Sequence, residues 1–126
     1  MNVPSNLKYT KDHEWIKVEG DVAIVGVTDF AQSQLGDIVF IEIETVGETL
    51  DKEEVFGTIE AVKTVSDMFM PVGGEVLEVN PRVTEQPDVA NKDPYGEGWM
   101  IKVKITNPAE LNELLTPDQY KDIISE

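Results

Sequence analysis

One lysine in this chain is placed where a side chain could be modified covalently. Lys63 lies between Val62 and Thr64, at the point where two predicted strands, 54–61 and 65–70, meet. Tight hairpins usually turn on Asn-Gly or Asp-Gly, because both central residues need positive φ, and this turn has neither. A single lysine among apolar residues on an exposed tip is a good acceptor for an acyl group, since it is flexible and loses its charge on acylation. The alternative is an ordinary solvated turn lysine.

The elements that must hold this turn are predicted from hydrophobic periodicity and capping residues. Residues 14–18 and 22–27 form a hairpin, and Thr28 caps a helix over 29–35 that ends at Gly36. Further strands are expected at 37–43, 75–80 and 99–105, with turns at 46–48 and 71–74. In the strand 37–43, alternation places Ile38, Phe40 and Glu42 on one face and Val39, Ile41 and Ile43 on the other.

The remaining segments are predicted to be loop and helix. Residues 81–98 are rich in Pro, Asn, Asp and Gly and should form a loop with a short helical piece near 86–92. Two Pro-initiated helices, 108–115 and 117–124, are expected at the C-terminal end. Their apolar residues should lie against the sheet; these are Leu111, Leu114, Leu115, Tyr120, Ile123 and Ile124. Many short strands with few helices indicate a mainly β fold, a small β-sandwich or barrel-like domain over 1–126.

Composition excludes several classes of function. The net charge of −15 over 126 residues disfavours binding to nucleic acid or to an anionic membrane, and favours partners with basic docking surfaces. The chain has no cysteine, which excludes disulfides, thiolate metal sites and a cysteine nucleophile. No run has the length of a membrane span, and residues 1–8 have neither signal-peptide nor transit-peptide character, so a bacterial cytoplasmic location is expected.

The region around Lys63 resembles the lipoylation region of glycine cleavage H proteins. The resemblance rests on VFGTIEAVKTVSD at 55–67, and it extends over nearly the whole chain in order and spacing. The other matching segments are LKY at 7–9, HEW at 13–15, GVTD at 26–29, AQ at 31–32, LGDIV at 35–39, Pro71, GEV at 74–76, EVN at 78–80, PY at 94–95 and GWM at 98–100. Ala61 departs from the family, which usually has Ser there.

The resemblance implies a lipoyl-domain-like barrel-sandwich hybrid and a non-catalytic carrier. Lipoate would be attached covalently to Lys63 on the hairpin 54–70, and the lipoylating enzymes would recognise the flanking residues Glu60, Val62, Thr64 and Ser66. The arm would receive an aminomethyl group from glycine decarboxylase (the P protein) and deliver it to the aminomethyltransferase (the T protein). Dihydrolipoyl dehydrogenase (the L protein) would then reoxidise the dithiol. The resemblance also implies that the carrier acts as a monomer.

A second set of residues follows from the same resemblance. The loaded arm would fold back into a cleft with acidic residues at Glu14 and Asp67, and Asp12 is a further candidate. A carboxylate beside the amine raises the pKa of an ammonium group, and a protonated nitrogen cannot expel the thiolate. Without the resemblance, these acids would be read as solvated members of a chain with 25 Asp and Glu residues.

Other readings fit the residues less well. An H-like lipoyl donor that relays lipoate to other enzymes would share Lys63 but would not need the cleft acids. Biotin carriers have Met on each side of the modified lysine, and this chain has Val62 and Thr64. An independent enzyme or metal site is disfavoured: His13 is the only histidine and, beside Trp15, is expected to be structural. Core positions are expected for Trp99 and Met100, and Gly73 with Gly74 is read as a turn.

Overall fold

The chain folds into two antiparallel sheets with short helices around them, in a computed structural model that describes residues 1–124. Within those residues, a six-stranded sheet has the order β1-β2-β3-β9-β8-β5 and a three-stranded sheet has the order β4-β6-β7. The strands are β1 (Lys8–Tyr9), β2 (Glu14–Glu19), β3 (Val22–Val27), β4 (Ile38–Glu42), β5 (Thr49–Leu50), β6 (Val55–Ala61), β7 (Val65–Phe69), β8 (Gly74–Val79) and β9 (Ile101–Ile105). The predicted mainly β fold is confirmed, while the two-residue strands β1 and β5 were not predicted.

The core lies between the two sheets. Val25 and Val103 contribute to it from the six-stranded sheet, and Ile41 and Ile59 contribute from the three-stranded sheet. Burying apolar side chains is worth about 25 cal/mol per Å² removed from water, so this shared core holds the sheets together. The hairpin β6–β7 is therefore anchored by the hydrophobic core rather than by a loop.

The helices follow their capping residues. They are α1 (Asp29–Leu35), α2 (Pro81–Glu85), α3 (Val89–Lys92), a 3₁₀ helix (Pro108–Glu113) and α4 (Pro117–Ile124). The α1 prediction is confirmed: Thr28 Oγ1 accepts a hydrogen bond from Ala31 N at 3.1 Å, and Gly36 follows with φ of 78°. No helix within residues 1–124 is long and apolar enough to cross a membrane.

The segment 81–98 contains more helix than predicted. Asn80 Oδ1 accepts a hydrogen bond from Arg82 N at 3.0 Å, and Pro81 takes the first helical position, so α2 begins where a loop was expected. At the C-terminal end, the first predicted helix is a 3₁₀ helix that ends at Glu113, because Leu114 is extended. Leu114, Tyr120 and Ile124 are buried as predicted.

Three of the predicted side-chain placements are wrong. Ile38 and Ile41 are buried while Val39 and Phe40 are exposed, because the β4–β6 register shifts between Ile38 and Phe40 and breaks the alternation. Ile123 is 45% exposed, since only one side of the short helix α4 faces the protein. Met100 is buried as expected, but its neighbour Trp99 is half-buried, with Lys102 Nζ 5.1 Å from its ring centroid.

Candidate functional site

The turn that carries Lys63 is braced by the neighbouring strand. Within the hairpin, Ala61 N donates to Thr64 O at 2.7 Å, which closes a four-residue loop. Val62 N donates to Asp37 O at 3.0 Å, which ties the tip to the start of β4. These two hydrogen bonds account for an ordered turn that has no Gly or Asn at its tip.

Lys63 is exposed at this tip and its side chain lies over Gly36, at the end of α1. A Cβ atom placed on Gly36 would stand 3.5 Å from Lys63 Cε, and the φ of 78° at Gly36 already favours glycine. Val62, next to the lysine, is 75% exposed. The lysine therefore stands on a rigid projection and is open to another protein.

The residues that a lipoylating enzyme is expected to recognise are distributed around this tip. Val62 and Thr64 are exposed in the loop, and Glu60 is exposed at the last pair of the β6–β7 ladder, opposite Val65. Ser66 is exposed on the cleft side of β7. Ala61, the departure from the family pattern, is buried and pairs with Ile38.

A cleft of about 290 Å³ lies beside β7, between the hairpin and α1. Its apolar wall combines residues from β3, α1 and β6, and its polar wall includes three carboxylates. The lining residues are Asp12, His13, Glu14, Val27, Phe30, Ala31, Gln34, Leu35, Ile59, Ser66 and Asp67. The structure thus brings Asp12, Glu14 and Asp67 together at one cleft. Asp67 is four residues from Lys63, which is roughly 13 Å of extended chain.

Glu14 is the buried acid of this cleft. Its side chain is 2% exposed, and it accepts hydrogen bonds from Thr10 Oγ1 to Oε1 at 2.8 Å and from Phe69 N to Oε2 at 3.0 Å. The pKa of Glu14 is raised to about 8, mainly because the carboxyl group is buried. The two hydrogen bonds lower this pKa, and the nearby charges of Asp12 and Glu53 raise it. At pH 7 the carboxyl group of Glu14 is therefore largely neutral, and it would ionise beside a cation.

Two partners of Glu14 were missed from the sequence. Thr10 Oγ1, besides donating to Glu14, accepts from the backbone N–H groups of Asp12 and Glu14 at 3.3 and 3.2 Å. A threonine two residues before Asp12 is typical of a side-chain-capped turn, and this signal could have identified it. No sequence signal marks the N–H of Phe69, because that contact crosses from one sheet to the other.

His13 is held by contacts that fit the expected structural role. Its backbone has φ of 68°, and Nδ1 lies 2.9 Å from the hydroxyl of Tyr120, which is 2.7 Å from Thr28 Oγ1. Burial lowers the pKa of His13. Trp15 is buried, and its Nε1 donates to Pro94 O at 2.9 Å. Among residues 1–124, no group of three or more His, Cys, Asp or Glu side chains could hold a metal ion.

The family model for the glycine cleavage H-protein matches residues 7–126. The chain belongs to this family. A family member from Bacteroides fragilis, named glycine cleavage system H protein, is 62% identical over 125 residues, which cover 99% of each chain. One of the same name from Carboxydothermus hydrogenoformans is 55% identical over 98% of this chain and 95% of its own. The crystal structure of a glycine cleavage system H protein from Mycobacterium marinum superposes with a TM-score of 0.90 at 38% identity, covering 98% of this chain and all of that one.

The residues present fit the lipoyl group that the family implies. Lys63 offers an exposed amine at the tip, and the cleft wall of Val27, Phe30, Leu35 and Ile59 could receive an apolar acyl chain. The acids Asp12, Glu14 and Asp67, which line the same cleft, suit a cationic end group. Family membership thus supports a lipoyl carrier role in glycine cleavage.

Proposed function

We propose that the chain carries an aminomethyl group on a lipoyl arm attached to Lys63, between glycine decarboxylase and the aminomethyltransferase of the glycine cleavage system. Dihydrolipoyl dehydrogenase would reoxidise the arm. The bound lipoyl group would supply the sulfur that holds the one-carbon unit, so the chemistry belongs to the cofactor and the partner enzymes. The chain itself would present the arm, shelter its cargo and perform no bond-making with its own side chains.

The observation that carries this proposal is the position of the braced Lys63 turn beside the acidic cleft. A rigid base lets a mobile arm reach a partner while the domain stays fixed. The same arm could fold back along β7, because the cleft acid Asp67 lies on the strand that leaves the turn. A relay that only passes lipoate to other enzymes would need the turn but not the acids, so Glu14 and Asp67 favour the carrier.

The proposed role of the cleft acids is electrostatic. An ammonium group entering the cleft would displace the proton of Glu14, since an adjacent opposite charge favours the ionised carboxylate. The resulting ion pair would hold the nitrogen of the cargo protonated. Thr10 and the N–H of Phe69 would stabilise the carboxylate, because both donate to it.

The experiment that tests this function is reconstitution. Purified protein is treated with lipoate ligase, ATP and lipoate, then mixed with glycine and glycine decarboxylase, and intact mass is followed. Wild type should gain a lipoyl increment and then an aminomethyl increment, while Lys63→Arg should gain neither. A lipoylated wild type that takes up no aminomethyl group from an active decarboxylase would contradict the carrier role and leave the relay role.

A further inference from the structure

The outer face of the three-stranded sheet carries large apolar side chains next to the Lys63 turn. Val39 is 51% exposed, Phe40 is 49% exposed, and Val62 and Val65 are 75% and 63% exposed. The register shift between Ile38 and Phe40 turns both Val39 and Phe40 toward solvent, away from the core that receives Ile38 and Ile41. Bulges of this kind re-aim side chains, and here an aromatic ring is directed outward.

These four side chains form one surface, called here the apolar patch. Phe40 pairs with Glu60, and Glu60 pairs with Val65, so the three side chains lie in a row across the sheet. Neighbouring strands are about 4.8 Å apart, so the row is roughly 10 Å wide. Val62 is held beside this row by the hydrogen bond from its N–H to Asp37 O.

Acidic side chains lie within and beside the apolar patch. Glu60 lies between Phe40 and Val65 in this row, and Glu42 lies in the next row along the sheet, opposite Thr58. Glu44 lies close enough to Glu42 to raise the pKa of that carboxyl through a side-chain hydrogen bond and charge repulsion. Strands β4, β6 and β7 contain no Lys or Arg. A partner that covers this face therefore needs apolar side chains together with Lys or Arg side chains that can reach Glu60 and Glu42.

We propose that the apolar patch, with the acidic side chains Glu60 and Glu42, is the docking surface for the enzyme that attaches the lipoyl group, which would meet it through apolar side chains interspersed with Lys or Arg. This inference rests on the proposed lipoylation of Lys63. In that step, Lys63 Nζ attacks the carbonyl carbon of a lipoyl adenylate. An amide bond forms, AMP leaves with the electron pair of the broken C–O bond, and Nζ loses a proton to solvent.

Geometry favours the lipoylating enzyme over the enzymes that act on the sulfur of the arm. An enzyme that acylates Nζ must bring its acyl donor within one lysine side chain of the turn, so its surface must cover the residues beside the turn. Enzymes that act on sulfur meet the far end of an extended arm and do not need to contact Phe40. The patch adjoins Lys63, because Val62 precedes the lysine directly and Val65 follows it by two residues, and this matches the first requirement.

The test is the rate of lipoylation by a purified lipoate ligase with ATP and lipoate, followed by intact mass. Phe40→Ser and Val39→Ser should each lower kcat/KM about tenfold, mainly through KM, as expected for apolar anchors at an interface. Leu77→Ser is the matched control, since Leu77 is 40% exposed but lies on β8 of the other sheet. Glu42→Gln, which preserves the side-chain shape, should weaken the dependence of kcat/KM on salt.

The outcomes separate this inference from the proposed function. A wild type that is lipoylated normally, with Phe40→Ser at the wild-type kcat/KM and an unchanged Tm, would overturn the docking surface and leave the carrier role intact. If Phe40→Ser, once lipoylated, also slows aminomethyl loading by the decarboxylase tenfold, the surface is not particular to the lipoylating enzyme and the inference fails. A wild type that is never lipoylated would remove the proposed function itself.

Discussion

Glu14 and Phe69 join the two sheets at the cleft. The backbone N–H of Phe69, at the end of β7, donates to Glu14 Oε2, at the start of β2, over 3.0 Å. The hairpin that carries Lys63 is thereby linked to the acid that lines the cleft. Any shift of β7 relative to β2 would change the surroundings of that carboxyl group, so the Lys63 hairpin and the cleft are parts of one structural unit.

The raised pKa of Glu14 predicts a pH-dependent stability. Its value is about 8 in the folded protein against 4.5 for the ordinary side chain, so the folded state binds the extra proton between these limits. The free energy of unfolding should therefore fall as pH rises from 5 to 9, relative to Glu14→Gln, by up to roughly 4 kcal/mol. Urea unfolding of both proteins at pH 5, 7 and 9 measures this difference. Glu19→Gln, a substitution at an exposed acid, is the control. Parallel pH profiles of the free energy of unfolding for wild type and Glu14→Gln would contradict the prediction.

Thr10 is predicted to tune that same carboxyl. Because its hydroxyl donates to Glu14 and lowers the pKa, Thr10→Val should raise the pKa of Glu14 above that of wild type, as followed by NMR titration of the carboxyl carbon. The loss of a buried hydrogen bond should also lower the free energy of unfolding by about 1–2 kcal/mol. Thr10→Ser keeps the hydroxyl and should restore the wild-type titration. A Val variant that titrates like wild type would show that the hydroxyl does not act on Glu14.

The cleft acids are predicted to protect the cargo. In lipoylated, aminomethyl-loaded protein, Glu14→Gln/Asp67→Asn should release formaldehyde and ammonia faster than wild type, about tenfold or more, because a neutral nitrogen can expel the thiolate. The measurement is the decay of the loaded mass in the absence of partner enzymes. A matched double variant at two acids away from the cleft, Glu19→Gln/Asp21→Asn, should decay like wild type. Equal decay in both double variants would refute the protective role.

Much of the fold was predictable because local signals and the global fold agree. The hairpin over β2 and β3, the capped helix α1 and the hairpin around Lys63 were all predicted from alternation and capping residues. The helix α2 was missed because a Pro-rich segment was read as a loop, although Asn80 before Pro81 is a proper helix start. The outward direction of Phe40 could not be predicted, since a register shift in a sheet depends on the partner strand.

Some features of the site could also be predicted from the sequence, and others could not. The unusual turn singled out Lys63 and the family resemblance predicts its modification, whereas Glu14 and Asp67 came only from the resemblance, because carboxylates are common in a chain with 25 of them. The burial of Glu14 and its contact with Phe69 depend on packing between two sheets. No local pattern encodes such a contact, whereas the turn that Thr10 caps has a local signal, a threonine two residues before Asp12.

The most direct test of the central claim is the intact mass of the protein isolated from its own cells, with peptide mapping across residues 55–70. A lipoyl increment is expected on Lys63, and none on a Lys63→Arg protein expressed in the same cells. A biotinyl increment on Lys63 would place the chain with a different class of carriers. An unmodified Lys63 that stays unmodified after treatment with a competent lipoate ligase would contradict the account.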